Sequence, residues 1–92
     1  MRTPTAAFLL LALAACSPTH PSPAEMHTLM LEFQVCELRA AREGGGATII
    51  ACVGDKSVFR AMTLCGQIRA LHPAETTRSE SEYRAAVCHF VP

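Results

Sequence analysis

The side chains that could do chemistry in this 92-residue chain are five cysteines and four histidines. Cys16 follows an apolar N-terminal run, and the other four cysteines, Cys36, Cys52, Cys65 and Cys88, are spread over the rest of the chain. A cysteine can bind a metal or attack a substrate as a thiolate, or it can form a disulfide. Domains of this size rarely bury enough apolar surface to be stable alone, so an even number of cysteines favours disulfides. We therefore predict two disulfides among these four residues.

Zinc binding is the main alternative use of the same cysteines. Zinc sites usually contain closely spaced ligands such as C-x₂-C, whereas the nearest two of the four, Cys52 and Cys65, are thirteen positions apart. Cys88 and His89 are adjacent, but neighbouring side chains on a helix point about 100° apart. The spacing predicts no metal site. A metal- or small-ligand-binding protein that uses cysteines and histidines remains the alternative hypothesis, because free thiols would restore it.

No motif predicts catalysis or a cofactor. A cysteine hydrolase needs a thiolate held against an imidazole. Any of the cysteines could be paired with any of the histidines, so the sequence does not indicate a specific catalytic pair. The glycines at 44–46 lack the preceding strand and the following lysine of a phosphate-binding loop. A domain of this size also has little interior in which to form a pocket. We predict that the protein is not an enzyme, with a cryptic hydrolase as the third hypothesis.

The charge distribution argues against nucleic acid as a partner. Apart from Arg2, the chain carries seven basic and eight acidic residues without a run of either sign. Nucleic-acid binding requires a basic surface that displaces counterions from phosphates. A neutral, mixed surface is equally unsuited to electrostatic docking on anionic lipid.

The N-terminal residues resemble a bacterial lipoprotein signal. Residues 6–15 form a continuous apolar run, which is too short for a membrane span of about 20 residues and has the length of a secretory apolar segment. The Leu-Ala-Ala-Cys sequence at 13–16 resembles the lipobox, in which the cysteine is obligatory. The resemblance implies that residues 1–15 are removed and that Cys16 is the lipid-attachment residue, carrying diacylglycerol and often a further acyl chain such as palmitate. Several acyl chains together give stable membrane anchoring.

An ordinary secretory signal is the alternative interpretation of the same residues. Cleavage after the Ala-Leu-Ala triplet at 12–14 would leave Cys16 as a plain thiol. Under the lipobox interpretation, Ser17 favours the outer membrane, because an aspartate at that position tends to retain lipoproteins of enteric bacteria on the inner membrane. The resemblance thus implies a bacterial envelope protein on the periplasmic face of the outer membrane, with the membrane as a partner through its lipid.

Residues 16–24 are predicted to be a proline-rich tether. Pro18, Pro21 and Pro23 favour an extended, solvated backbone, which at about 3.1 Å per residue could hold the domain roughly 25 Å from the lipid. His20 is expected to be a solvated loop residue. Residues 25–92 remain as one small domain.

Apolar residues at three- and four-residue spacing predict that this domain is helical. Ser22 and Pro23 form a helix start, and the glycines at 44–46 form a stop. A second helix is capped by Asp55 or Ser57, and Thr77 with Glu80 forms a capping box for the last one. The predicted helices span roughly 23–43, 56–71 and 78–90, with a short fourth element near 47–53 that could be a strand but is predicted to be a buried helix.

The fold class that follows is all-α, a small antiparallel bundle of three to four helices stapled by two disulfides. If the long helices are direct antiparallel neighbours, Cys36 and Cys65 lie at matching heights, and so do Cys52 and Cys88. We therefore predict the pairs Cys36–Cys65 and Cys52–Cys88. By elimination, the predicted function is a protein-interaction module in the envelope, with an accessory, inhibitory or exclusion-type role. The partner protein is not identified by the sequence.

Overall fold

The computed structural model describes residues 19–44 and 46–92, with the backbone alone at 46 and 47. No strand occurs in these residues, and the predicted all-α bundle is confirmed. The four α-helices are α1 (Pro23–Glu43), α2 (Gly46–Val53), α3 (Asp55–Ala70) and α4 (Arg78–Val87), with 3₁₀ turns at Pro73–Glu75 and Cys88–Phe90.

The ends of α1 follow from local chemistry. The Ser22 hydroxyl accepts a hydrogen bond from the Glu25 N–H at 3.3 Å, and Pro23 occupies the first turn, where its missing donor costs nothing. At the other end Gly44 has a φ of 79°, in the left-handed region, and its N–H bonds to the carbonyl of Ala40. Glycine adopts this conformation without a steric penalty, so the helix ends there.

The short element after the glycines is a helix, as predicted. α2 begins at Gly46 and packs against α1, with Ile49 buried between them. Helix formation satisfies the backbone hydrogen bonds of this apolar segment within itself, whereas a lone strand would need a partner strand. The predicted cap of the next helix was wrong: Gly54, with a φ of 91°, is the N-cap of α3, and Asp55 lies in its first turn.

The last helix begins as the sequence predicts. The Thr77 hydroxyl accepts from the N–H of Glu80 at 3.1 Å, and the Glu80 carboxylate accepts from the N–H of Thr77 at 2.8 Å. The regular helix is shorter than predicted, because it ends at Val87 and tightens into a 3₁₀ turn over Cys88–Phe90. Such tightening is common in the last turn of a helix.

One core holds the four helices together. Its most completely buried side chains include Phe33 from α1, Cys65 and Ile68 from α3, and Tyr83 from α4. Phe33 also stacks on Phe90, with ring centroids 5.9 Å apart. Buried side chains at every third or fourth position of α1, α3 and α4 confirm that helical periodicity sets the core. No helix in the described part of the chain is long and apolar enough to span a membrane.

The predicted disulfide pairing was wrong. Cys36 bonds to Cys52, with Cα atoms 5.7 Å apart, and Cys65 bonds to Cys88, also 5.7 Å apart. The prediction treated α1 and α3 as direct neighbours at the height of Cys36. Instead, the turn at Gly44 folds α2 back along α1, so that Cys52 reaches the level of Cys36. Cys65 is then left facing the end of α4.

Candidate functional site

The residues predicted for chemistry do not converge on one site. Cys16, the predicted lipid-attachment residue, lies outside the described residues, as do the signal at 1–15 and the first part of the tether. The other four cysteines are joined in disulfides and present no thiolate. Among residues 19–44 and 46–92, no three His, Cys, Asp or Glu side chains are grouped closely enough to hold a metal ion.

The histidines are dispersed over the fold and have local roles. The Nδ1 of His72 accepts a hydrogen bond from the N–H of Ala74 at 3.2 Å and so caps the 3₁₀ turn that follows it. The His89 ring lies against that of Phe90, with centroids 3.9 Å apart. His27 is exposed on α1. Sequence spacing could not assign these roles, because each depends on a local turn or a neighbouring ring.

An apolar stripe on the solvent side of α1 is the first surface feature without an internal role. Leu31, Val35 and Leu38 are 48%, 56% and 69% exposed, and their spacing of four and three residues aligns them along one helix face. We call these three residues the outer stripe. Exposed apolar side chains are ordinary when they occur singly, but an aligned set on one helix resembles the contact face of a helix that packs on another protein. The stripe was not predicted from the sequence, although the spacing of its three residues is visible there.

A groove runs beside the outer stripe, between α1, α2 and the start of α3. Its volume is about 440 Å³. We call it the disulfide groove, since the Cys36–Cys52 bridge lies in its lining. The other lining residues are Leu31, Glu32, Val35, Arg39, Val53 and Ser57.

Two charged side chains mark the disulfide groove. Oε2 of Glu32 is buried and has no hydrogen-bond partner among the described residues. A buried acceptor without a partner costs about 1–3 kcal/mol, so a donor brought by a ligand would be favourable there. The Arg39 guanidinium is exposed, and its Nη1 lies 3.8 Å from the Sγ of Cys52. The groove therefore offers an acidic and a basic group beside apolar walls.

The N-terminal segment is clamped to α4, which corrects the prediction of a freely solvated tether up to Ala24. Pro21 is buried, and Nδ1 of His20 lies 2.7 Å from Oε2 of Glu80. The Glu80 side chain is 2% exposed, and its other oxygen accepts the Thr77 N–H. A buried carboxylate needs partners for both oxygens, and His20 supplies the second one. We call this contact the N-terminal clamp.

The electrostatics of the clamp favour an ionised carboxylate. Burial alone would raise the pKa of Glu80, but hydrogen bonds from Thr77 and His20 outweigh burial, and the pKa lies below its usual range.

Glu25 takes part in two further electrostatic interactions. Arg60 of α3 forms an ion pair with Glu25 of α1. Burial, with a smaller contribution from the Glu25 charge, raises the pKa of Tyr83 to about 12.

Comparison with known proteins assigns no relative. No family model matches the chain, and neither a curated protein nor a solved structure is significantly similar to it. A functional assignment therefore rests on the sequence of the N-terminus and on the surface features of the described residues.

Proposed function

We propose that this protein is a lipid-anchored lipoprotein of the bacterial envelope whose helical domain acts as a protein-interaction module. Residues 1–15 serve as the export signal, and Cys16 carries the lipid that holds the domain on the periplasmic face of the outer membrane. The proposal includes no catalytic step and no cofactor other than this covalent lipid.

The outer stripe is the observation on which the proposed protein interaction rests. Leu31, Val35 and Leu38 expose apolar surface that the bundle itself does not cover. Exposed apolar surface that is aligned rather than scattered is typical of protein contact sites. The stripe also adjoins the disulfide groove, because Leu31 and Val35 line both. A partner on the stripe can therefore insert a side chain into the groove.

The charges of the groove define the chemistry of that partner. Glu32 and Arg39 are seven residues apart on α1, which is about 10 Å along the helix axis. The complementary segment has apolar side chains that cover the stripe, a basic residue that reaches Glu32 and an acidic residue that reaches Arg39. Opposite charges placed in this way select the orientation of a partner more than they add affinity. We propose a protein segment of this type as the occupant.

The anchor part of the proposal is supported by the Leu-Ala-Ala-Cys sequence at 13–16. Two disulfides in so small a domain are also typical of proteins that fold in an oxidising compartment, which includes the bacterial periplasm. Metal binding, the alternative function, loses its proposed thiolate ligands because all four cysteines are paired in the structure.

Site-specific photo-crosslinking in the native membrane tests the interaction. A photoreactive residue in place of Val35 or Leu38 is expected to give one discrete crosslinked protein, and the same residue at exposed Ala85 on α4 is the matched control. The crosslinked protein would then be purified and its affinity measured. Leu38→Glu should weaken binding about ten-fold or more, because losing 1.4 kcal/mol at a contact residue has that effect.

Two results would contradict this function. Equal crosslinking from the stripe and from Ala85 would mean that the stripe is not the contact surface. An unchanged affinity of the Leu38→Glu variant for the purified partner would mean the same, since a buried carboxylate at an apolar contact is costly.

A further inference from the structure

The N-terminal clamp fixes where the chain leaves the domain. His20 is bound to Glu80 in the first turn of α4, and the buried Pro21 follows it immediately. The chain then enters α1 at Pro23. The exit point toward Cys16 is therefore at the end of the bundle formed by the N-termini of α1 and α4, which we call the clamped end.

We propose that the clamped end is the membrane-facing surface of the domain, apposed to the lipid headgroups, and that the clamp sets this orientation. This inference rests on the proposed lipid attachment at Cys16. It extends the proposed function by stating which end of the bundle faces the bilayer and which surfaces remain accessible to the partner protein.

The number of residues between Cys16 and the clamp limits the height of the domain. Only four residue steps separate Cys16 from His20, and a fully extended chain covers at most roughly 14 Å over that number of steps. Without the clamp, the free chain would extend to Pro23, seven steps from Cys16, and could reach roughly 25 Å. The clamp thus removes roughly 10 Å of slack, which is comparable to the diameter of one helix.

The opposite end of the bundle is then the distal end. α1 contains 21 residues, so its C-terminus lies about 31 Å from its start. Gly44 and the start of α2 face away from the membrane. Leu31 and Leu38 lie about 12 Å and 22 Å along α1 from Pro23, so a partner of the outer stripe must reach that height above the clamped end.

Charge attraction is not what holds this end at the membrane. Arg78, 93% exposed at the start of α4, pairs with Glu82 at 3.1 Å, with its Nε bound to the carboxylate. An exposed pair of this type is worth little and leaves no net positive charge. The contact with the headgroups therefore depends on the covalent lipid and the short connection, rather than on a basic surface.

Amide relaxation of the full lipidated protein in nanodiscs tests this orientation. The nanodiscs contain phosphatidylethanolamine and phosphatidylglycerol with a small fraction of gadolinium-chelate headgroups. The amides of residues 25–28 and 78–82 are expected to broaden more than those of 48–53 by at least an order of magnitude. The reason is that the effect falls with the sixth power of distance, and Cys52, bonded to Cys36, lies about 20 Å along α1 from Pro23 at the clamped end.

Two histidine variants distinguish the effect of the clamp from the general effect of removing a histidine side chain. His20→Ala removes the clamp at a partly exposed side chain and should reduce the difference between the two ends by at least half. His27→Ala changes an exposed histidine of α1 outside the clamp and should leave the difference unchanged. Thermal unfolding monitored by circular dichroism checks that each variant is folded.

The outcomes distinguish this inference from the proposed function. A chain that carries no lipid and does not associate with nanodiscs would refute the anchor, and this inference with it. A lipidated, associated chain with equal broadening at both ends, or stronger broadening at 48–53, would overturn the orientation alone. An unchanged pattern in His20→Ala would overturn the role of the clamp.

Discussion

The Nδ1 atom of His20 lies 2.7 Å from Oε2 of Glu80, although sixty positions separate the two residues in the sequence. The contact connects the segment that leaves the predicted membrane anchor to the first turn of the last helix. It also satisfies the second oxygen of the only charged side chain found buried in the described part of the chain.

The stability of the domain should depend on pH through Glu80. The hydrogen bonds of Thr77 and His20 lower the pKa of this carboxyl below its ordinary value of 4.5. Its stabilising contribution is therefore present above pH 4.5 and is lost as the pH falls through the lower pKa of the folded state. Urea unfolding at a series of pH values should show a larger acid loss in the wild type than in Glu80→Gln, which cannot ionise. Parallel pH profiles of the two proteins would contradict this assignment.

The two disulfides should behave as separate pairs. Cys36→Ser and Cys52→Ser should each lower the free energy of unfolding by about 3 kcal/mol, the loop-closure value for a separation of this size. The double variant should be no less stable than either single one, because both remove the same bond. Cys36→Ser combined with Cys65→Ser should be additive. Peptide mapping without reductant provides the direct check, and a peptide joining Cys36 to Cys65 would refute the observed pairing.

Tyr83 should ionise only when the pH approaches 12. The chain contains a single tyrosine, so the absorbance of phenolate at 295 nm reports this residue alone. Burial raises its pKa to about 12 in the folded state, whereas an exposed tyrosine ionises near about 10. Stability should therefore fall as the pH rises from 10 to 12, because the unfolded chain releases the proton first. A native titration midpoint near 10 would show that the ring is accessible.

The Tyr83 hydroxyl also predicts the effect of a conservative substitution. It is buried without a hydrogen-bond partner within residues 19–44 and 46–92. Tyr83→Phe removes a hydroxyl that makes no hydrogen bond to the described residues in the folded state. The free energy of unfolding should therefore stay the same or rise by about 1 kcal/mol. Calorimetry near neutral pH measures this, and a loss of more than about 1 kcal/mol would reveal a hydrogen bond to the hydroxyl.

Exposed and buried residues of α1 should differ sharply in their effect on stability. Leu38→Ala, on the outer stripe, should change the free energy of unfolding by no more than about 0.5 kcal/mol. Phe33→Ala, in the core and fully buried, should reduce it by about 3–5 kcal/mol. Urea denaturation of both variants gives the comparison. Equal destabilisation would mean that Leu38 is covered by the domain itself.

Membrane attachment should depend on Cys16. Cys16→Ala removes the thiol that the lipobox interpretation requires, so the protein should leave the membrane fraction or accumulate with its signal uncleaved. Fractionation and intact mass of the mature protein measure both effects, with Cys36→Ser as the control that removes a different cysteine. Normal processing with continued membrane association would refute the lipid anchor.

The sequence predicts the helices well because their ends are determined locally. Ser22, Gly44 and Thr77 act on backbone groups within four residues, and the structure confirms each of them. The spacing of Met26, Leu29 and Phe33 likewise identifies the buried face of α1. These features require no knowledge of how the helices are arranged in space.

The predictions that were wrong, and the features that were not predicted, depend on how the helices are arranged in space. The pairing of Cys36 with Cys52 follows from the position of α2 along α1, which helix lengths alone do not determine. The N-terminal clamp joins residues too distant for any local pattern to connect. The disulfide groove required three helices to be placed before it could be seen.

The positions of the two bridges have a mechanical consequence. Each bridge closes a loop within one half of the described chain: Cys36–Cys52 lies before Gly54 and Cys65–Cys88 lies after it. No cross-link joins the halves, so a single peptide cut at Gly54 would yield two looped fragments held together only by packing and ion pairs. Tension between the halves would accordingly be resisted by that packing and by the backbone at Gly54, while each sulfur bridge kept its own loop closed without linking one half to the other.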